Sequence, residues 1–253
     1  MKHHLLCLSL LTTACSGGRI ETRTAPPVPP EVTTRGDTIY FGTVFPLHSA
    51  GTPPTYVYER RVEAVAGGLR SSHITRDPQG SIALAESATH DLDYRLSSYL
   101  LHANQLGQSG SVEVVGEEVR FRLEGGGQVE QASETQQDPV VVGPTLVGYI
   151  VRHLEALRSG QELPVRMAVL DRLETIGFRL SAIPGEAGQT RIRMTASSFL
   201  YGLFIDPIDF DFEASSGKLV RLEGRVPPKV WADNRWRDFD ARVEYRFVAG
   251  SYL

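Results

Sequence analysis

Residues able to do chemistry are scattered along this chain of 253 residues, so their spacing has to be weighed first. Seven histidines are present, but none sits in H-E-x-x-H or H-x-H, the spacings that place two imidazoles on one metal. The densest cluster is His90-Asp91-Leu92-Asp93, where a turn meets a strand, and the expectation there is a surface turn. Ser215-Ser216-Gly217-Lys218 has the serine–lysine spacing of penicillin-interacting enzymes. Those enzymes need it at a helix start, whereas here it joins two alternating segments and reads as a hairpin turn. Asp206, Asp209, Asp211 and Glu213 are close enough for paired acid–base work. Alternation instead puts most of them on the wet face of a strand, within reach of Arg191, Arg193, Arg221 and Arg225 across a sheet. No G-x-S-x-G elbow, P-loop or dinucleotide fingerprint occurs. No catalytic residue, metal site or cofactor is expected, and a hydrolase is the least favoured reading.

Aromatic residues offer the better lead. Tyr149 and the run Ser197–Ile205, with Phe199, Tyr201 and Phe204, are apolar and flanked by Gly148 and Gly202. One reading packs them into a core. The other makes Tyr149, Phe199, Tyr201 and Phe204 the wall of an apolar groove, since ligand pockets favour aromatic linings.

The elements that must carry these residues are mainly strands. Val119, Phe121 and Leu123 alternate with charged neighbours; so do Ile208, Phe210 and Phe212, and so do Ala241, Val243, Tyr245 and Phe247. Ile192 and Met194 repeat the pattern, as do Leu92, Tyr94, Leu96 and Leu100. Tyr56, Tyr58, Val62 and Ala64 share one phase, which Arg60 breaks. Period two with one wet face is the antiparallel pattern. Glycine-rich turns at short intervals make a meander, and a sheet this long must curl, split or close. Pro144–Arg158 alone has helical spacing, with Pro144 suited to a first turn and Gly160 to a C-cap. The expected fold is therefore mainly β: a curved antiparallel meander, half-barrel or open barrel, with one central amphipathic helix packed across it.

The N-terminus reads as an address. Lys2 precedes the apolar run Leu5–Leu11, followed by Thr12, Thr13, Ala14 and Cys15. That run is too short to span a bilayer, which takes about 20 residues. Leu11-Thr12-Thr13-Ala14-Cys15 resembles the lipobox of bacterial lipoproteins, with Thr12 where leucine is usual. The resemblance implies cleavage before Cys15 and lipid attachment to its thiol, with Ser16 compatible with transfer to the outer membrane. Ordinary signal-peptidase cleavage would cut the same bond and leave a soluble periplasmic or cell-surface protein. The division follows: signal peptide 1–14, lipidated Cys15 with a proline-rich tether over 15–36, and one β-rich domain over 37–253. Cys7 departs with the signal, so the domain itself contains no cysteine.

The body resembles an uncharacterised exported family over Gly143–Gly160, Val169–Leu180 and Leu222–Lys229. Its shape is similar to the half-barrels of bacterial lipoprotein-localisation proteins, which hold acyl chains on a concave face plugged by helices. The resemblance implies a membrane-tethered, non-catalytic envelope module for an apolar ligand such as an acyl chain or a lipoprotein. Its partners are then the membrane, through the N-terminal lipid, and an apolar ligand or another envelope protein. The alternative is a structural or interaction module with a solid core and no ligand. With 26 basic against 30 acidic residues there is no basic excess for nucleic acid.

Overall fold

A computed structural model describes residues 37–48 and 51–248. Cys15, the signal segment and the whole tether lie outside them. Eight strands come first: β1 (Asp37–Pro46), β2 (Tyr56–Val65), β3 (Gly68–Arg76), β4 (Ile82–His90), β5 (Leu96–Ala103), β6 (Gln108–Val115), β7 (Glu118–Gly125) and β8 (Gln128–Thr135). The short β9 (Val140–Val141) leads into helices α1 (Gly143–Arg152) and α2 (Leu154–Arg158). Then follow β10 (Leu163–Val169), β11 (Glu174–Ile183), β12 (Gln189–Ala196), helix α3 (Phe199–Gly202), β13 (Ile208–Glu213), β14 (Leu219–Ala232) and β15 (Arg235–Phe247).

All fifteen strands form one open sheet, antiparallel throughout except where β9 meets β10. Its order is not simply sequential. β1 pairs with β15 in the interior, so the described ends of the chain meet inside the sheet, while β8 and β9 are its edges. The sheet curls until these edges approach. Across the seam the Thr175 backbone N–H donates to Glu134 Oε1 at 3.0 Å. Val112, Val119 and Phe121 pack with Val140, Val142, Ala168 and Leu170 in one cluster beneath it.

Predicted alternation becomes packing in most strands. Val119 and Phe121, Ile192 and Met194, Phe210 and Phe212, and Ala241 and Val243 are buried. The charged ladder is also formed. Arg191 holds Asp211 in a two-pronged pair (Nε–Oδ1 2.5 Å, Nη2–Oδ2 2.8 Å), Arg193 does the same to Asp209, and Arg221 Nε reaches Asp211 Oδ2 at 2.8 Å. Asp211 corrects the expectation of a wet face, because it is buried between two guanidinium groups. Burial pushes its carboxyl up, but Arg191 and Arg221 outweigh that and hold it below the usual carboxylate range.

Three further expectations are corrected. The single helix is two, broken at His153, whose backbone lies outside the helical region. Leu92 and Tyr94 belong to a turn rather than a strand: Asp91 Oδ1 accepts from the N–H groups of Asp93 and Arg95, and Tyr94 takes φ 62°. Arg60 lies in phase with Tyr56 and Val62 and is fully buried.

Helix α1 starts without a side-chain cap at Val142; instead Thr145 Oγ1 accepts from the Val142 N–H at 3.0 Å. Its buried face and α2 pack into the largest core cluster, where Ile150, Leu154 and Leu157 meet Leu180, Phe212 and Leu219. Gly148 lets the helix sit tight, since a Cβ there would fall 2.0 Å from the Tyr94 ring. Arg152 Nε donates to Asp93 Oδ1, and Arg158 reaches Thr190 and Ala214, so the helices fill one end of the curled sheet. The 170–173 turn, α3 and the β14–β15 tip lie at the other.

Candidate functional site

The curled sheet encloses a lumen of about 900 Å3. That is at the upper end of the roughly 300–1,000 Å3 of ordinary ligand pockets. Leu146 and Val147 of α1 form its floor, and its walls come from both halves of the sheet, for example Leu84, Phe178, Met194 and Val243. The lining is mostly aliphatic and aromatic because most contributing strands turn an apolar phase inward. Leu200, Phe204 and Leu106 line the same space yet are exposed, so they stand at its mouth.

The mouth is braced from one side of the sheet to the other. β14 shifts register between Val226 and Val230, around Pro227 and Pro228, which frees the backbone of Lys229. Gln105, in the turn after β5, takes both groups: its Nε2 donates to Lys229 O at 2.8 Å, and Lys229 N donates to Gln105 Oε1 at 3.0 Å. Tyr56 joins them, accepting from Gln105 Nε2 at 2.7 Å and donating to Lys229 O at 2.5 Å. Arg225 and Lys229 both pair with Asp238 on the rim.

One polar station interrupts the apolar wall. Glu86 of β4 and His73 of β3 are opposite in register, buried, and both line the lumen. Tyr99 of β5 donates its hydroxyl to Glu86 Oε1 at 2.8 Å. His73 Nδ1 stands 3.8 Å from Glu86 Oε2, beyond hydrogen-bond reach. His73 Nε2 is buried with no hydrogen-bond partner among the described residues. Burial pushes the Glu86 carboxyl up to about 7 although the Tyr99 hydroxyl pulls against it. Burial holds His73 well below its ordinary value, with the charge of Arg60 acting the same way. The first helical residue of α1 adjoins this station: a Cβ on Gly143 would lie 3.1 Å from Glu86 Oε1.

Of the four aromatics expected to line a groove, Phe204 lines the lumen at its mouth. Phe199 is 80% exposed and stands off the lumen on α3. Tyr201 also belongs to α3. Tyr149 is buried at the opposite end, beside Arg152 and His153 in a small separate hollow. The structure thus does not bring the four together, and the expectation that Phe199 and Phe204 fill the core fails because both are exposed. His90, expected at the surface, is buried, with Nε2 2.9 Å from Ser71 Oγ and Nδ1 2.7 Å from Asp91 O, its ring stacked on Tyr94. Ser216 and Lys218 occupy the β13–β14 turn. Among the described residues, no group of three or more His, Cys, Asp or Glu could hold a metal ion, and no helix is long and apolar enough to cross a membrane.

Glu86 and His73 are the residues that alternation misses. β3 and β4 are buried on both faces, so Ser71-Ser72-His73-Ile74-Thr75 and Ala83-Leu84-Ala85-Glu86-Ser87-Ala88 carry no period. The available signal is a lone carboxylate in a run of small residues.

No family model and no curated protein matches the chain. Among solved structures it is similar to a β-barrel-like protein of a domain of unknown function, DUF1849, from Brucella abortus. The identity is 10%, over 84% of this chain and 97% of that one, with a TM-score of 0.46. It is also similar, at 8% identity over 83% and 98% of the two chains and a TM-score of 0.24, to a porin-like protein from Bacteroides uniformis.

Proposed function

We propose that the protein is a lipid-anchored envelope lipoprotein whose domain is a non-catalytic binding module for an apolar ligand such as an acyl chain. The lumen carries this reading: about 900 Å3 of mostly apolar space with a mouth at one end. Such a volume is far larger than the roughly 30 Å3 share of a water, and an apolar wall gives water few partners. The lipobox-like Leu11–Cys15 supports the anchor, and outer-membrane placement facing the periplasm follows from Ser16 by resemblance.

Native mass spectrometry of protein purified without detergent tests the module. Adducts of lipid mass, lost on delipidation and regained on adding lipid, are expected. A delipidated protein that takes up neither lipid nor an apolar dye would refute it. Palmitate labelling tests the anchor: label is expected on the wild type and absent from Cys15→Ser, and equal labelling of both would end the claim. An interaction module remains the second reading, favoured by exposed Phe199, Phe204 and Trp231. It predicts a stable protein partner and an unfilled lumen.

A further inference from the structure

We propose that the mouth docks on the surface of a zwitterionic phospholipid bilayer, with Phe199, Leu203, Trp231 and Trp236 entering its interface. This rests on the lumen taking an apolar chain and adds the surface from which the chain arrives.

Exposed apolar side chains are normal when scattered singly, whereas a cluster marks a contact. Here six gather on two projections at one end of the molecule. Phe199, Leu200, Leu203 and Phe204 lie on and just after α3, and Trp231 and Trp236 on the β14–β15 tip. Phe199 and Phe204 are 80% and 82% exposed, so neither is half-sunk in the core. The two projections are neighbours, because a Cβ on Gly224 would lie 3.2 Å from Pro207 O. Trp231 and Trp236 are opposite in register and meet edge to face, with ring centroids 5.3 Å apart.

Three features favour a bilayer as the occupant. Leu200 and Phe204 are exposed and also line the lumen, so one apolar surface runs from the rim inward. An acyl chain that follows it avoids water, where each exposed methylene costs about 0.8 kcal/mol. Tryptophan is enriched where lipid meets water, its ring lying at the head-group level. Charge adds no bias: over 199–206 and 225–240 four basic residues meet four aspartates, and Asp238 already holds Arg225 and Lys229. The reach is also sufficient. Asp37 opens β1 at the end opposite the tip, since Tyr40 pairs with Phe247 and β15 starts at Arg235. β15 covers that distance in 13 residues, about 43 Å. Residues 15–36 can extend to about 75 Å, so a molecule held by Cys15 can turn its mouth to the same bilayer.

Trp231 and Trp236 are the two tryptophans of the chain, so tryptophan fluorescence reads this face alone. The mature chain, residues 15–253 with Cys15→Ser, is floated with phosphatidylcholine vesicles brominated in their acyl chains. Co-flotation with quenched emission is expected, in low and high salt alike. Phe199→Ser/Leu203→Ser should weaken vesicle binding at least about tenfold. Neither side chain lines the lumen, so uptake of the apolar dye diphenylhexatriene without vesicles should be unchanged and shows that the variant is folded. Should the variant lose the dye, flotation and quenching of the wild type decide alone. Protein that stays off the vesicles, floats unquenched, is quenched without floating, or binds as well when it carries both serines overturns the docking. So does an emission shift that follows protein concentration without vesicles, which marks a second copy on this face. Dye uptake that persists through any of these leaves the apolar-ligand reading standing. A wild type that takes up no dye overturns that reading, whatever the vesicles show.

Discussion

At the scale of single residues, an ionisable group in the interior keeps its charge only where neighbours compensate for burial. Asp211 remains charged because two arginines hold it, whereas Glu86 has a single tyrosine hydroxyl and is driven toward its neutral form. The sign of the resulting pH dependence follows. The folded-state value of Glu86 lies above the ordinary 4.5, so the folded protein binds its proton more tightly than the unfolded chain does. Its contribution is fully present below 4.5 and is lost as pH rises through about 7. Urea denaturation at pH 5 and pH 8 should show Glu86→Gln gaining relative to wild type at the higher pH, by about 3 kcal/mol at most. A pH-independent difference would show that Glu86 ionises without cost. Gly148→Ala should lose about 1–3 kcal/mol by the same measurement, because the Tyr94 ring must move away from the helix.

Elements follow a clear division between what the sequence discloses and what it conceals. β7, β12 and β15 are legible because one face of each is the less buried and the period survives, and β13 because its charged residues keep the alternation even where Asp211 is buried. β3 and β4 are not, since burial on both faces erases the period and takes Glu86 and His73 with it. Arg60 misleads for a related reason: composition marks it as a surface residue, yet its guanidinium donates to Ser71 Oγ and lies over the Tyr40 ring. The helix is legible as amphipathic, but its break at His153 has no glycine or proline to announce it. The aromatic run is legible as apolar, but not as the exposed edge of a mouth. The brace is invisible for a different reason, being a contact between Gln105 and Lys229 far apart in the chain. Gln105→Ala should leave the Lys229 N–H without its partner and cost about 1–3 kcal/mol in denaturation. Faster hydrogen exchange at Lys229 should accompany the loss, and unchanged exchange would mean that the brace is not formed in solution.

As a whole, the molecule is a sheet rolled nearly shut, filled at one end by helices and left with a mouth at the other. Exposed Leu200, Phe204 and Trp231 gather at that end, near the tip where Asp233 and Asn234 make the turn. The β1–β15 pairing has a consequence for how the chain reaches this form. Residues 37–135 and 140–247 are each a ladder of near neighbours, whose strands find their partners across short turns. Joining the ladders requires Tyr40 to meet Phe247, a closure that spans almost the whole described chain and is entropically the slowest to make. Two half-sheets are therefore expected to zip early, with their union as the late, rate-setting event. Val248 N already donates to Ile39 O at 3.1 Å, so a short link between those ends can replace the long search. A circular permutant opened between β8 and β9 turns every antiparallel pairing into a local one, and stopped-flow refolding should find it faster than the natural order.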